Sequence, residues 1–241
     1  MRNALLLPFS EEESIVVATD NSGAIGLKDM DEVHVPYKTV AYYCFRVAVM
    51  ECLAAGGQPF AVVMQNFCGE AAWAELLTGI HRGLEELELD EVKISGSTES
   101  NFSMVQSAVS ITVLGKKKNG QAVNSVEDFN PKEMGVAVIG TPLVGYEVIE
   151  NEKYVVPLAL MKQLSTRHDV ITWPVGSKGI FYELSRMVPQ RAINGTDIKT
   201  DIDIYKSSGP ATCFIIVFPK RSYGEIKSVA GTYFQEILFR D

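Results

Sequence analysis

A buried strand followed by a polar turn is predicted by the stretch Ile15-Val16-Val17-Ala18-Thr19-Asp20-Asn21-Ser22-Gly23. Its first four residues are apolar and mostly β-branched, as in strands, and the polar residues and glycine after them are typical of a turn. A carboxylate at such a strand end can hold magnesium, while the backbone of the turn and the nearby Lys28 bind phosphate oxygens. An Asx-turn, in which Asp20 or Asn21 bonds its own backbone, explains the same pattern, so the residues alone leave both interpretations open.

Helices and strands alternate along the rest of the chain. Apolar residues recur at helical spacing from Thr39 to Ala55, and Gly56-Gly57 ends that helix. In the first half the pattern further predicts strands at residues 60–64, 92–94 and 107–114 and a helix at 71–87. In the second half it predicts strands at residues 136–140, 170–173 and 211–218 and helices at 155–164 and 180–187. Such interleaving predicts an α+β fold, with mixed α/β layers in each half.

The stretch from Gly115 to Pro131 is predicted to connect two domains. It contains Lys116-Lys117-Lys118-Asn119-Gly120 and few large apolar residues, a composition typical of turns and linkers. We therefore expect an N-terminal domain at residues 1–130 and a C-terminal domain at residues 131–241.

The composition argues against several classes of function. A formal net charge of −8 disfavours a nucleic-acid surface, because such surfaces need clustered Lys and Arg. Apolar runs fall far short of the roughly 20 residues of a membrane span, and the start of the chain lacks the cleavage pattern of a signal peptide. We therefore expect a cytoplasmic protein that binds neither nucleic acid nor membrane. The isolated histidines and the absence of CxxC spacing indicate neither a zinc site nor a disulfide framework.

Glu51 is a candidate metal ligand because it stands near the end of an otherwise apolar helix. A carboxylate there is costly unless it is paired or bound to a metal, and a negative charge near a helix C-terminus is also unfavourable. A structural ion pair, with Arg46 or with a more distant base, is the alternative interpretation.

Two further segments could bind phosphate. Ser95-Gly96-Ser97-Thr98-Glu99 follows a predicted strand, so its N–H and O–H groups could hold phosphate while Glu99 binds a cation. Gly176-Ser177-Lys178-Gly179 precedes a predicted helix, a position that suits an anion. An ordinary Ser/Thr-rich turn and a helix cap with an exposed Lys178 explain the two patterns equally simply.

Taken in order, these segments resemble the superfamily of aminoimidazole ribonucleotide synthetase, thiamine-monophosphate kinase, selenophosphate synthetase and the hydrogenase maturation factor that dehydrates a carbamoyl group. Thr19-Asp20 is similar to the superfamily's Thr-Asp strand end, and Glu51 stands at its metal-binding aspartate position. Residues 95–99 are similar to its Gly-Gly-Asp/Glu-Thr turn. The resemblance covers roughly residues 15–115 well, and residues 170–179 and 207–218 more loosely.

The chain departs from the superfamily at three places. The N-terminal loop that covers the nucleotide phosphates in relatives is not found before the first predicted strand. Ser97 and Pro174 stand where the superfamily has acidic residues. We therefore expect fewer carboxylates to hold metal, with Glu99 compensating.

Within the superfamily, residues 20–26, 46–51 and 96–101 look most like the α-ribazole kinases. This resemblance implies transfer of the ATP γ-phosphoryl group to the ribose 5′-hydroxyl of α-ribazole, in the salvage of the cobalamin lower ligand. It implies Mg²⁺ bound by Asp20, Glu51 and Glu99, with Lys28 neutralising the developing charge. Asp20 could instead orient the attacking hydroxyl. The residues expected to contact the nucleotide are Asn21, Ser22, Gly23, Gly96, Ser97, Thr98, Ser177 and Lys178.

The resemblance also implies a homodimer in which the first domains share a β-barrel. Three alternatives to α-ribazole phosphorylation stay open: a superfamily kinase with another acceptor such as thiamine phosphate, an ATP-dependent amide-activating synthetase, and a nucleotide-binding protein without catalysis.

Overall fold

Two compact units, Met1–Gln121 and Ala122–Asp241, divide the chain in the computed structural model. The structure describes residues 4–120, 129–188 and 193–240. The boundary between the units, after Gln121, falls inside the predicted connection but before the expected boundary near Asn130. Residues 121–128 of that connection lie outside the described residues.

The first unit contains a five-stranded sheet and a small two-stranded one. The large sheet consists of β1 (Ala4–Pro8), β2 (Glu13–Gly23), β5 (Gln58–Asn66), β6 (Lys93–Thr98) and β7 (Ala108–Lys118), in the order β1-β2-β7-β5-β6. The small sheet pairs β3 (Ile25–Gly26) with β4 (Val33–His34). In the large sheet β5 and β6 run parallel, and the other neighbours are antiparallel.

Helices α1 (Tyr37–Ala54) and α2 (Trp73–Glu86) pack against each other, and α1 lies on β2 and β7. Alternate residues of a strand point to opposite faces of a sheet, so one residue in two faces α1. Val16 and Ala18 of β2 and Ile111 and Val113 of β7 are completely buried on that face. Helix α2 provides the crossover that the parallel pair of β5 and β6 requires.

The opposite face of this sheet carries a row of apolar side chains across four strands. Leu5 pairs with Val17, Val17 with Leu114, and Leu114 with Ala61. Directly paired residues lie side by side on the same face. Leu5 is 57% exposed, and Leu7, two residues further along β1 and on the same face, is 44% exposed. This face therefore presents apolar surface to solvent.

The second unit has an antiparallel five-stranded sheet with helices in its connections. Its strands are β8 (Met134–Gly140), β9 (Ile171–Pro174), β10 (Ile198–Lys199), β11 (Cys213–Pro219) and β12 (Phe234–Phe239), in the order β10-β12-β8-β11-β9. Its helices are α3 (Glu147–Glu150), α4 (Leu158–Ser165), α5 (Gly179–Met187) and α6 (Tyr223–Ala230). Its core joins buried residues of β8 and β11 to one side of α5, including Ile180 and Leu184.

The predicted α+β fold, with helices and sheets in each half, is confirmed. Across the three described ranges, none of the helices combines the length and apolar character that a membrane crossing requires.

Three strand ends were predicted wrongly. The polar residues 19–23, expected to form a turn, continue β2 and pair with residues 108–112 of β7. Residues 96–98 likewise continue β6 beside β5, and residues 115–118, expected in the connection, belong to β7. In each case a neighbouring strand, distant in sequence, supplies backbone partners that outweigh the local preference of polar residues for turns.

Candidate functional site

A cavity of about 790 Å³ opens in the first unit at the carboxyl ends of the parallel strands β5 and β6. Its wall comes from residues 28–30, from the loop after β5 and from the loop after β6. The carboxyl ends of parallel strands are the usual place for ligands in α/β sheets. The lining residues are Lys28, Asp29, Met30, Phe67, Cys68, Gly69, Glu70, Glu99, Ser100, Phe102, Ser103, Met104 and Val105.

Asn66, the last residue of β5, fixes the starts of two of these loops. Its side-chain amide nitrogen donates to the carbonyl of Gly69 at 2.9 Å and to Thr98 Oγ1 at 3.0 Å. Its Oδ1 accepts the N–H of Cys68 at 2.8 Å, and its carbonyl accepts the N–H of Glu99 at 2.8 Å. A single buried amide therefore holds both strand ends in register.

Asp31 ties the remaining loop to the start of β7. Its two oxygens accept the N–H and the O–H of Ser107 at 2.7 and 2.6 Å, and Oδ2 also accepts the N–H of Lys28 at 2.9 Å. Burial acts to raise the pKa of this carboxyl, but the hydrogen bonds from Ser107 and Lys28 outweigh it and lower the pKa below its ordinary value. Asp31 therefore stays ionised and anchors the loop whose residues 28–30 line the cavity.

The ammonium of Lys28 bridges the loops after β5 and β6. Its Nζ donates to the carbonyls of Phe67 at 3.2 Å and Met104 at 2.8 Å. An ammonium has three N–H donors, so two hold the wall of the cavity and one is left for a ligand. Charge neutralisation by Lys28 stays a prediction, and the structure adds a second role in shaping the site.

Among the lining residues that the structure describes, three carboxylates accompany this one cation. Glu99 Oε1 accepts the N–H groups of Asn101 at 2.7 Å and Phe102 at 3.2 Å, which fixes the turn after β6. Asp29 and Glu70 are exposed at the cavity wall. The lining therefore carries an excess of negative charge.

The thiol of Cys68 is a lining group held in its neutral form. Its Sγ donates to the carbonyl of Ala108 at 3.3 Å. Burial raises the pKa of the thiol, and a thiol is a much weaker nucleophile than a thiolate.

Asp20, the first predicted catalytic residue, is not among the residues that line the cavity. It lies within β2, and its carboxylate accepts a hydrogen bond from the Cys44 thiol of α1. Burial raises the pKa of Asp20 to about 6, against the opposing hydrogen bonds from the N–H of Asn21 and from Cys44. The carboxylate thus sits under the helix, in surroundings that favour its neutral form.

Glu51 lies on α1 and is only 3% exposed. It follows Cys44 by two helical turns, roughly 10 Å along the helix axis, whereas Asp20 lies beside Cys44. Among residues 4–120, 129–188 and 193–240, no three His, Cys, Asp or Glu side chains lie close enough together to hold a metal ion. The structure therefore does not bring Asp20, Glu51 and Glu99 together, and a cation shared by all three stays a prediction that this arrangement does not support.

The predicted phosphate-binding residues of the first unit belong to strands. Asn21, Ser22 and Gly23 pair with Ser110, Val109 and Ala108. Gly96 has a packing reason to be glycine, because a Cβ there would lie 2.2 Å from the carbonyl oxygen of Met64 and 3.1 Å from the Trp73 ring. Ser97 and Thr98 end β6 immediately before the loop that lines the cavity.

Ser177 and Lys178 are exposed on the turn before α5, in the second unit. The N–H of Gly179 donates to the carbonyl of Gly176, and the N–H of Phe181 donates to the carbonyl of Ile204. One amide of the expected anion site, that of Gly179, is therefore already engaged by backbone, and so is the amide of Phe181 in the first turn of α5. The ammonium of Lys178 lies 4.5 Å from the centre of the Tyr182 ring.

Several site residues were not identified from the sequence. Asn66 and Asp31 act through partners that are distant in the chain, and Phe67, Phe102 and Met104 read as ordinary loop residues. The signal that was available is positional, because Asn66 and Thr98 end two parallel strands joined by a helix, and such ends commonly carry ligand sites.

Solved structures share this fold. The chain aligns with PurL of Thermotoga maritima complexed with ATP at a TM-score of 0.65 and 13% identity, covering 100% of this chain and 42% of that one. It aligns with a chain of the HypE–HypF complex at a TM-score of 0.61 and 14% identity, covering 97% and 87%. Thiamine-monophosphate kinase from Stenotrophomonas maltophilia K279a gives a TM-score of 0.62 and 13% identity, covering 99% and 88%. No protein-family model and no curated protein matches the sequence.

At these identities the likeness establishes the fold. The chain spans about 42% of the PurL chain but most of the length of the kinase. Thiamine-monophosphate kinase is one of the proteins that the sequence segments resemble, so sequence and structure point to the same fold class.

Proposed function

We propose that this protein is an ATP-dependent small-molecule kinase that transfers the γ-phosphoryl group of ATP to the ribose 5′-hydroxyl of α-ribazole. The observation that carries the proposal is the cavity at the carboxyl ends of β5 and β6, which combines an ammonium, carboxylates and aromatic walls in one site. The shared fold with an ATP complex of PurL and with thiamine-monophosphate kinase supports the same class of chemistry.

Phosphoryl transfer depends mainly on positioning and on neutralising charge. The free donor of Lys28 would bind an oxygen of the transferring group, because the other two donors already fix the ammonium in the wall. Asp29, a lining carboxylate that is not assigned to the metal, would accept the proton of the attacking hydroxyl. The new O–P bond forms at the 5′-oxygen as the bond to the β–γ bridging oxygen breaks, and ADP leaves.

Magnesium fits this lining chemically, since Mg²⁺ takes oxygen ligands and is commonly bound by one or two carboxylates together with substrate phosphates. Glu99 and Glu70 are the residues that we propose to hold it. Bound there, the ion would offset the negative charge of the triphosphate.

The acceptor proposal rests on the walls of the cavity. Phe67, Phe102 and Met104 are 38%, 78% and 44% exposed around the opening, and such side chains can stack on a flat benzimidazole base. A volume of about 790 Å³ is in the range of small-molecule sites.

Mass spectrometry of the products tests the proposal directly. After incubation with ATP, magnesium and α-ribazole, we expect the nucleoside to gain one phosphate, and we expect the reaction of Glu70→Gln and of Glu99→Gln to be slower by about a hundredfold, the order seen when charge stabilisation is lost. Glu75→Gln, an exposed change on α2 outside the cavity lining, is the matched control and should react like the wild type.

The other outcomes separate the alternatives. Phosphate release with an amide acceptor and no phosphorylated nucleoside would indicate an amide-activating synthetase. ADP release with thiamine phosphate, but not with α-ribazole, would indicate a kinase with another acceptor. ATP binding without turnover on any acceptor would contradict the enzymatic proposal.

We further propose that two copies associate through the uncovered face of the first sheet. The row of Leu5, Val17, Leu114 and Ala61 is the support for this, because an apolar face on a sheet otherwise covered by helices is stabilised when a second layer packs on it. A second copy offers the same surface, and a symmetric pair can be self-complementary.

A further inference from the structure

We infer that the cavity selects, as its acceptor, a flat nitrogen heterocycle that is neutral or positively charged, and that it rejects an anionic ring. This inference rests on the proposed function in one respect, that the cavity receives the acceptor. It goes beyond that function because it states which charge the acceptor carries and which side chains decide it.

The lining of the cavity carries more negative than positive side chains. Asp29, Glu70 and Glu99 each contribute a carboxylate, and Lys28 contributes the one ammonium. With the carboxylates ionised and before magnesium or nucleotide binds, the lining residues that the structure describes have a formal charge of −2, from three negative groups and one positive group. The field inside a cleft lined by one sign of charge is focused by its walls.

The hydrogen bonds of the same groups increase this imbalance. Lys28 directs two of its three donors at the carbonyls of Phe67 and Met104, so only one can address a ligand. On the acidic side, within residues 4–120, 129–188 and 193–240, only Glu99 has an oxygen engaged, and two backbone N–H groups engage it. More acceptors than donors are therefore left for an occupant, which favours a ligand that brings N–H groups or positive charge.

The apolar part of the wall defines the shape. Phe67 and Phe102 are exposed aromatic residues of the lining, and Met30 and Met104 line the cavity with them. The π-face of an aromatic ring attracts cations, and thioethers pack well against rings. Flat, electron-poor heterocycles satisfy both the aromatic faces and the carboxylates, whereas a ring that carries a carboxylate meets like charge.

Calorimetry with three ring-matched probes tests the inference. The probes are N,N′-dimethylbenzimidazolium, N-methylbenzimidazole and a ring carboxylate of N-methylbenzimidazole, at a pH where the neutral probe is unprotonated. We expect the cation to bind at least about tenfold more tightly than the anion, the effect of unit charges a few ångströms apart in a partly solvated site. Added salt should reduce this ratio because it screens the charges.

A pair of double variants locates the effect. Asp29→Asn with Glu70→Gln removes two lining charges, and we expect the ratio of cation to anion affinity to fall towards one while the neutral probe binds as before. Glu75→Gln with Glu85→Gln removes two exposed carboxylates of α2 outside the lining, and its ratio should match the wild type.

The outcomes distinguish this inference from the kinase proposal. An anion that binds as tightly as the cation in the wild type, or a ratio that the lining variant leaves unchanged, overturns the charge selectivity even if α-ribazole is phosphorylated. A charge order that holds in a protein with no ATP turnover supports the selectivity and contradicts the kinase.

Discussion

At the scale of single residues, Asp20 shows how burial changes the pKa of a carboxylate and therefore its contribution to stability. It stands at the strand position where the sequence predicts a catalytic acid or metal ligand, but its side chain faces α1 and the Cys44 thiol. Because its pKa is raised, the ionised carboxylate lowers the stability of the folded state at neutral pH.

The pH dependence of stability follows from this cost. With a folded-state pKa of about 6 against an ordinary value of 3.8, ionised Asp20 destabilises the folded state above about pH 6, and the penalty disappears as the pH falls below the ordinary value. We expect Asp20→Asn to raise the free energy of unfolding by about 2 kcal/mol at about pH 8 and to leave it nearly unchanged at about pH 3.5, since Asn stays neutral throughout. Urea denaturation at the two pH values measures it, and an equal loss of stability at both would contradict the burial argument.

Of the residues that the sequence predicts for the site, Lys28 and Glu99 lie in the cavity wall. Both were identifiable because a charged residue beside a glycine-containing segment suggests a phosphate or metal site. Asp31 and Asn66 were not, because their roles arise from contacts across the fold, such as the bonds of Asp31 to Ser107 over 76 residues of sequence. Periodicity in a single sequence carries no information about such partners.

At the scale of elements, the strand ends decide where the site forms. Apolar periodicity predicted α1, α2 and the centres of β5 and β7, since their buried faces are continuous. It missed the polar ends of β2 and β6, and also β1 and β12, because strands at those places depend on a neighbouring strand rather than on their own residues.

A substitution at Gly96 tests whether this glycine near the end of β6 is required for packing. A Cβ at Gly96 would overlap the carbonyl oxygen of Met64, so we expect Gly96→Ala to destabilise the first unit by about 1–3 kcal/mol, the range for overpacking. Gly23→Ala is the matched control, because a Cβ there meets nothing within 4 Å. Thermal denaturation of both variants measures the difference, and equal melting temperatures would show that β6 can shift to make room.

At the scale of the whole molecule, the exposed face of the first sheet predicts association. We expect light scattering to find two chains per particle for the wild type and one for Leu5→Glu combined with Leu7→Glu, because charges on this face cannot be buried against a second apolar sheet. Glu85→Lys, on the exposed side of α2, should remain paired. A paired Leu5→Glu and Leu7→Glu variant would exclude this face as the interface.

The order of the strands also affects how the first unit folds during synthesis. β7 is the last strand of its sheet in the sequence, yet it lies between β2 and β5 and pairs with both. A chain growing on the ribosome therefore cannot complete this sheet until residues 108–118 have emerged, and contacts of such large sequence separation form slowly. A nascent chain halted before Ala108 would expose β2 and β5 without the strand that joins them, a state open to aggregation.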